Sequence, residues 1–230
     1  MKEYFGIDVA KWQGNINWSK VKKAGVELAI LKITQKNNSV ESSFERNYAG
    51  CKTYDIPVGC YRYVYAKTVL QAQQEAKAIV SILKKREMPC GIWLDMEDSS
   101  LLKLSKSMLS AIIEAERKIL EAAGYKVGIY CNQYWYNSVL PSYNINLPWW
   151  IAKYGINNGK KQTPPKIRDK QTLYGWQYTS KGKINGISGS VDLNAIYIAP
   201  TSQFNETNTS NNILPLLKYG ARGNDIKKLQ

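Results

Sequence analysis

Strand-like and helix-like runs alternate along the first 132 residues, and this order narrows the fold more than any other feature of the chain. YFGIDVA (4–10), ELAILKIT (27–34), PVGCYRYVY (57–65), CGIWLDMED (90–98) and KVGIYCN (126–132) are short apolar runs of strand length. Helical periodicity intervenes near Trp18-Ser19, in SSFERNYAGCKTY (42–54), in TVLQAQQEAKAIVSILKK (68–85) and in SKSMLSAIIEAERKILEAAG (105–124). Ser105 stands where a hydroxyl caps a helix start, and Gly124 where a left-handed residue ends one. Five strand–helix units in series imply a parallel sheet with right-handed crossovers. Beyond residue 132 the helices fade, and PWWIAKYG (148–155), LYGWQYTSKG (173–182) and VDLNAIYIA (191–199) read as three more strands joined by polar loops. The predicted fold is α/β, an irregular TIM-like (β/α)5β3 barrel followed by a linker and a truncated helical segment. In such barrels the site lies at the carboxyl ends of the strands.

A chain of 230 residues has room for one large domain and a fragment. The barrel is assigned to residues 1–200. Residues 201–212, TSQFNETNTSNN, have the polar composition of a linker. Residues 213–230, ILPLLKYGARGNDIKKLQ, return to apolar periodicity but are too short to form an independent domain.

Composition removes whole classes of chemistry. The chain contains no His, which excludes Ser-His-Asp and Cys-His nucleophilic mechanisms. Cys51, Cys60, Cys90 and Cys131 show no C-x-x-C spacing, so no metal site and no cofactor is expected, and the thiols read as reduced and buried. Carboxylates remain as the general acids and bases. The net charge of +14 favours anionic partners, but the basic residues are dispersed and carry no nucleic-acid-binding signature. No apolar run reaches the roughly 18 residues of a membrane span, and MKEYFGIDVA lacks the apolar core of a signal peptide.

The carboxylates concentrate in one place. Asp95 and Glu97 lie two residues apart in CGIWLDMED; if that segment is a strand, both point to one face, about 6.5–7 Å apart. Two acids so placed should have their pKa values driven apart, one ionised and one protonated, as glycoside cleavage requires. A bare D-x-E can equally be a strand running into an acidic turn. Asp8, like Asp95 and Glu97, falls late in its strand. The aromatic set is biased toward rings with a polar handle, 16 Tyr and 7 Trp against 3 Phe, which suits a sugar ligand.

With these segments in order, residues 4–199 resemble the family 25 glycoside hydrolases, the Chalaropsis-type lysozymes found in phage endolysins and bacterial autolysins. The resemblance is carried by GIDVAKWQG (6–14), GCYRYVYA (59–66), IWLDMED (92–98), GIYCN (128–132), WIAKY (150–154), WQYTS (176–180) and VDLN (191–194). It implies an N-acetylmuramidase that cuts the β-1,4 bond between N-acetylmuramic acid and N-acetylglucosamine. Glu97 then matches the general acid/base, its pKa raised by Asp95 and Asp8. Asp95 would orient and polarise the 2-acetamido group, whose carbonyl oxygen attacks; direct water attack assisted by an aspartate remains open. Asp8 and Asp192 complete the acidic cluster, although GSVDLN alone reads as a turn. Tyr61, Tyr63, Tyr130, Trp150, Tyr154 and Gln177 are the implied substrate-binding residues. Two departures stand out: Arg62 where family members carry His, and Gln35-Lys36 where they carry an acid and Gly. Both bear on substrate contacts or pH optimum.

KYGARGNDIKKLQ resembles the first helix of a small peptidoglycan-binding module. The expected partners are peptidoglycan glycan strands and anionic wall polymers, without nucleic acid or membrane insertion. The expected setting is a phage endolysin made in the cytoplasm without a signal peptide and acting on the wall after release. A bacterial autolysin, a chitinase-like barrel and a non-catalytic wall-binding barrel are the competing readings.

Overall fold

The structure, a computed structural model, describes residues 2–201. The linker from residue 202 and the terminal fragment 213–230 lie outside the described residues. Eight strands close into a barrel in sequence order: β1 (Tyr4–Val9), β2 (Leu28–Lys32), β3 (Val58–Tyr63), β4 (Ile92–Asp95), β5 (Val127–Asn132), β6 (Trp149–Ala152), β7 (Leu173–Gly182) and β8 (Val191–Ile196). Four α-helices pack outside it: α1 (Trp18–Lys23), α2 (Phe44–Thr53), α3 (Val69–Leu83) and α4 (Lys106–Ala122). Side chains of Asn17, Thr68 and Ser105 cap α1, α3 and α4 by accepting the N–H of Lys20, Gln71 and Met108. Each cap satisfies a donor that the first helical turn leaves open.

Two features differ from the expected barrel. The fifth strand is followed by a five-residue π-helical segment, Trp135–Val139, instead of an α-helix. The ring is also not wholly parallel, because β8 runs antiparallel to both β7 and β1. Asp192 therefore sits at the start of its strand yet at the same barrel end as the carboxyl termini of the others. It is a strand residue paired directly with Asp8, not a turn residue.

Side chains alternate across the wall with the period of two that extended backbone imposes. Ala29 and Leu31 of β2 face the helices, whereas Leu28 and Ile30 fill the interior. The interior is closed by aromatic packing. Trp93 lies 4.2 Å from the Tyr174 ring and meets Trp150 edge-on at 5.8 Å; Trp150 in turn lies 4.5 Å from Tyr130. Gly128 makes room for this plug, since a Cβ there would come within 2.2 Å of the Trp93 ring. Trp93 Nε1 donates to the Cys90 carbonyl at 2.8 Å, so its polar atom is satisfied inside the barrel. The plug gives the open end of the barrel a floor. All four cysteines are free and buried.

Arg62 shows what the outward face of the wall does. Its neighbours Tyr61 and Tyr63 point inward, so alternation turns Arg62 toward α3 and α4. There it pairs with Glu75 at 2.8 Å and donates to Thr34 Oγ1 at 2.6 Å. Glu116 of α4, with 0% exposure, lies beside them, close enough to feel the charges of Glu75 and Arg62. Burial first, and then the charge of Glu75, hold the Glu116 carboxyl well above the usual carboxylate range. Arg62 thus has no contact with the barrel mouth, and its bearing on substrate is corrected to a packing role.

Candidate active site

The floor of Trp93 and Trp150 leaves a cavity of about 220 Å³ at the open end of the barrel. Its wall is formed by Asp8, Asp95, Glu97 and Asp192, by Tyr61, Tyr63, Tyr130, Trp150, Tyr154 and Gln177, and by Lys32. Every residue singled out in the sequence as catalytic or substrate-binding comes to this one cavity. The strand register explains how. Asp8 and Asp192 are direct partners across the β1–β8 seam, and Asp95 is flanked by Tyr63 on β3 and Tyr130 on β5. Glu97 departs from the expected strand geometry, because β4 ends at Asp95 and Glu97 follows in the loop. It still lines the cavity beside Asp95.

A hydrogen-bond network fixes one side of the cluster. Asp8 Oδ2 accepts from Gln177 Nε2 at 2.9 Å and from Asn194 Nδ2 at 2.8 Å. Gln177 Oε1 accepts from Tyr130 at 2.7 Å and from Tyr154 at 2.5 Å. Asn194 Oδ1 accepts from Trp150 Nε1 at 2.8 Å. Gln177 and Trp150 are therefore held under the cavity, orienting Asp8, while Tyr61, Tyr63 and Tyr154 are partly exposed around it. Asp95 is the contrast: it is 4% exposed, and its Oδ1 has no hydrogen-bond partner in the protein. A buried acceptor left open costs about 1–3 kcal/mol, so it is a position waiting for a donor.

All four carboxyls are pushed upward. Burial raises Asp8 to about 6 against the opposing hydrogen bonds of Asn194 and Gln177, and burial with the charge of Asp8 raises Asp192 to about 8. Asp95 rises well above its ordinary value, through burial and then the charge of Glu97, with Lys32 opposing. Glu97 rises through burial and then the charge of Asp8. The four are raised by different amounts. Burial, more than the neighbouring anions, is the leading cause.

Two residues of the site escaped the sequence reading. Lys32 ends β2, with its ammonium 5.9 Å from the Tyr61 ring and 5.7 Å from the Tyr63 ring, and brings positive charge to Asp95. Asn194 lies two residues after Asp192 on β8, hence on the same face. Both could have been found by extending the inward alternation of Ile30 and Asp192 by one step.

This geometry has known counterparts. The sequence profile described as glycosyl hydrolases family 25 matches residues 7–187. The chain belongs to glycosyl hydrolase family 25. An autolytic lysozyme of Clostridium acetobutylicum is 30% identical to this family 25 chain over 188 residues, which cover 82% of the chain and 54% of that relative. The chain thus spans about half the length of that curated protein. Among solved structures, the catalytic domain of endolysin ply40 from bacteriophage P40 of Listeria monocytogenes matches with a TM-score of 0.73 and 27% identity, over 85% of this chain and 94% of that one. A bacterial lysozyme from Streptomyces coelicolor matches with a TM-score of 0.72 and 26% identity, over 86% and 94% respectively. Phage and bacterial enzymes stand side by side among the family 25 relatives.

Proposed function

We propose that this family 25 chain is an N-acetylmuramidase, hydrolysing the β-1,4 bond between N-acetylmuramic acid and N-acetylglucosamine in bacterial peptidoglycan. The observation that carries this is the unpartnered, buried Asp95 Oδ1 beside Glu97 in one cavity. A 2-acetamido sugar brings an N–H donor, and Asp95 is placed to accept it. That hydrogen bond favours the ionised form of Asp95, as does Lys32. The acetamido carbonyl oxygen then attacks the anomeric carbon as the bond to the leaving sugar breaks, forming an oxazoline-like intermediate. Glu97, kept protonated by burial, delivers its proton to the departing oxygen. Water opens the intermediate with Glu97 as base, giving net retention at the anomeric carbon. The charge of Asp8 adds to the burial that keeps Glu97 protonated, while Tyr61, Tyr63 and Tyr154 offer ring faces and hydroxyls to the sugars.

The charge of +14 supports accumulation on a wall rich in anionic polymers. Among the described residues no helix is long and apolar enough to cross a membrane. Digestion of purified peptidoglycan followed by reducing-end analysis tests the assignment: new muramic acid reducing ends are expected, first appearing as the β anomer. New glucosamine reducing ends would replace the muramidase reading, and an initial α anomer would replace acetamido attack with direct attack by water.

A further inference from the structure

A second groove of about 560 Å³ opens beside the active site, between the loops that leave β2, β3 and β4 and the start of α3. We propose that it binds the peptide stem that muramic acid carries on its lactyl group, so that the enzyme reads peptide as well as sugar. This rests on the muramidase reading above and names a part of the same substrate.

The two cavities share a partition. Tyr63 lines the active site and Tyr65 lines the groove, with ring centroids 4.9 Å apart. Asp98, on the groove side, directly follows Glu97 on the catalytic side. A substituent leaving a sugar in the active site would therefore have only one pair of aromatic rings to cross.

The lining selects a peptide over more glycan. Sugars seek open aromatic faces, but Tyr65 is the groove's one ring and the Lys36 ammonium sits 5.1 Å above it. The rest of the lining is the complement of a chain of amides with mixed charge. Lys36 and Lys67 supply cations for the stem's carboxylates, and Asp98 an anion for the free amine of its diamino residue. The side-chain amides of Asn38 and Gln74 can pair with peptide groups, and Asn38 Oδ1 is buried without a hydrogen-bond partner. Glu75 also borders the groove, but its charge is committed to Arg62. The departure at Gln35-Lys36 thereby gains a function, since it places Lys36 on the lining of this groove.

The test compares glycan strands that bear peptides with the same strands stripped by an amidase. A Lys36→Ala/Lys67→Ala double variant should raise KM on peptide-bearing strands, by up to about fivefold for each exposed charge pair lost. Its kinetics on stripped strands should match the parent enzyme. Equal changes on both substrates, or none on either, would overturn the proposal. Titration of a free stem tetrapeptide into Glu97→Gln protein, followed by NMR, gives an independent answer. Saturable shifts at Asn38, Tyr65 and Gln74 that vanish with the two lysines are expected, and no binding would overturn the groove. If the parent enzyme cleaved neither strand, the muramidase reading would fall while the titration still decided the groove.

Discussion

Two groups of buried carboxylates lie on opposite faces of the same barrel wall and bear their burial differently. Outside, Glu75 is ion-paired to Arg62, and the buried Glu116 lies beside them with its carboxyl pushed well above the usual range. Inside, Asp8, Asp95, Glu97 and Asp192 share a single cation, Lys32, and Asp95 keeps an open acceptor. Arg62 and Glu116 of the outer cluster are shut away from solvent at 0% exposure. The inner carboxyls instead line an open cavity that a ligand can enter. Burial alone does not mark a functional acid; burial beside a cavity open to a ligand does.

The comparison breaks most sharply on Glu97. Glu97→Gln is nearly isosteric but cannot deliver a proton, so wall lysis should fall about 10²–10⁴-fold. Thermal denaturation should show no loss of stability, because the substitution removes a carboxyl from an overloaded cluster. Near-parental lysis by the folded variant would mean that the inner cluster is as structural as the outer. Arg62→Met tests the converse. Stranding Glu75 in the wall should cost about 3–5 kcal/mol in denaturant unfolding, while the protein that remains folded cleaves soluble fragments normally. Adding Glu75→Gln should restore part of the loss.

A third prediction concerns pH. Asp8 and Asp192 bind protons more tightly folded than unfolded, rising from 3.8 to about 6 and about 8. Their contribution to stability is complete below about pH 4 and is withdrawn as pH climbs through those values. Unfolding midpoints should therefore drop between pH 4.5 and pH 8, and Asp192→Asn should flatten the drop. An unchanged slope would remove Asp192 from the shared titration. The smallest effect concerns the exterior: added salt should weaken binding to intact walls more than it slows cleavage of soluble fragments. Surface attraction is screened within about 8–10 Å at physiological ionic strength. Equal salt sensitivity on both substrates would remove charge steering.

The barrel and most of its mouth were legible because period-2 strands and ordered motifs carry both. What was missed has identifiable causes. Lys32 read as the polar end of an apolar run, although two steps from inward-facing Ile30 it had to face inward too. Arg62 reads as bearing on substrate contacts or pH optimum because it stands where family members carry His, although its place between two inward tyrosines turns it outward. Glu97 was placed in the strand because the D-x-E spacing fits alternation, but β4 stops at Asp95 and the loop presents Glu97. The direction of β8 was readable from length: residues 183–190 are fewer than the dozen or more that a parallel crossover needs.

That reversed last strand has a consequence in time. Asp8 and Asp192 meet across the seam although they are 184 positions apart (192 − 8). At about 5–20 residues per second on a ribosome, roughly 10–40 seconds separate their synthesis. Until β8 arrives, β1 has a bare edge, and the catalytic pocket lacks both Asp192 and the Asn194 that steadies Asp8. A chain ending before residue 191 lacks the partner of Asp8 across the seam and one wall of the cavity. The seam therefore makes the last strand to be synthesised a requirement for completing the pocket at the barrel's mouth.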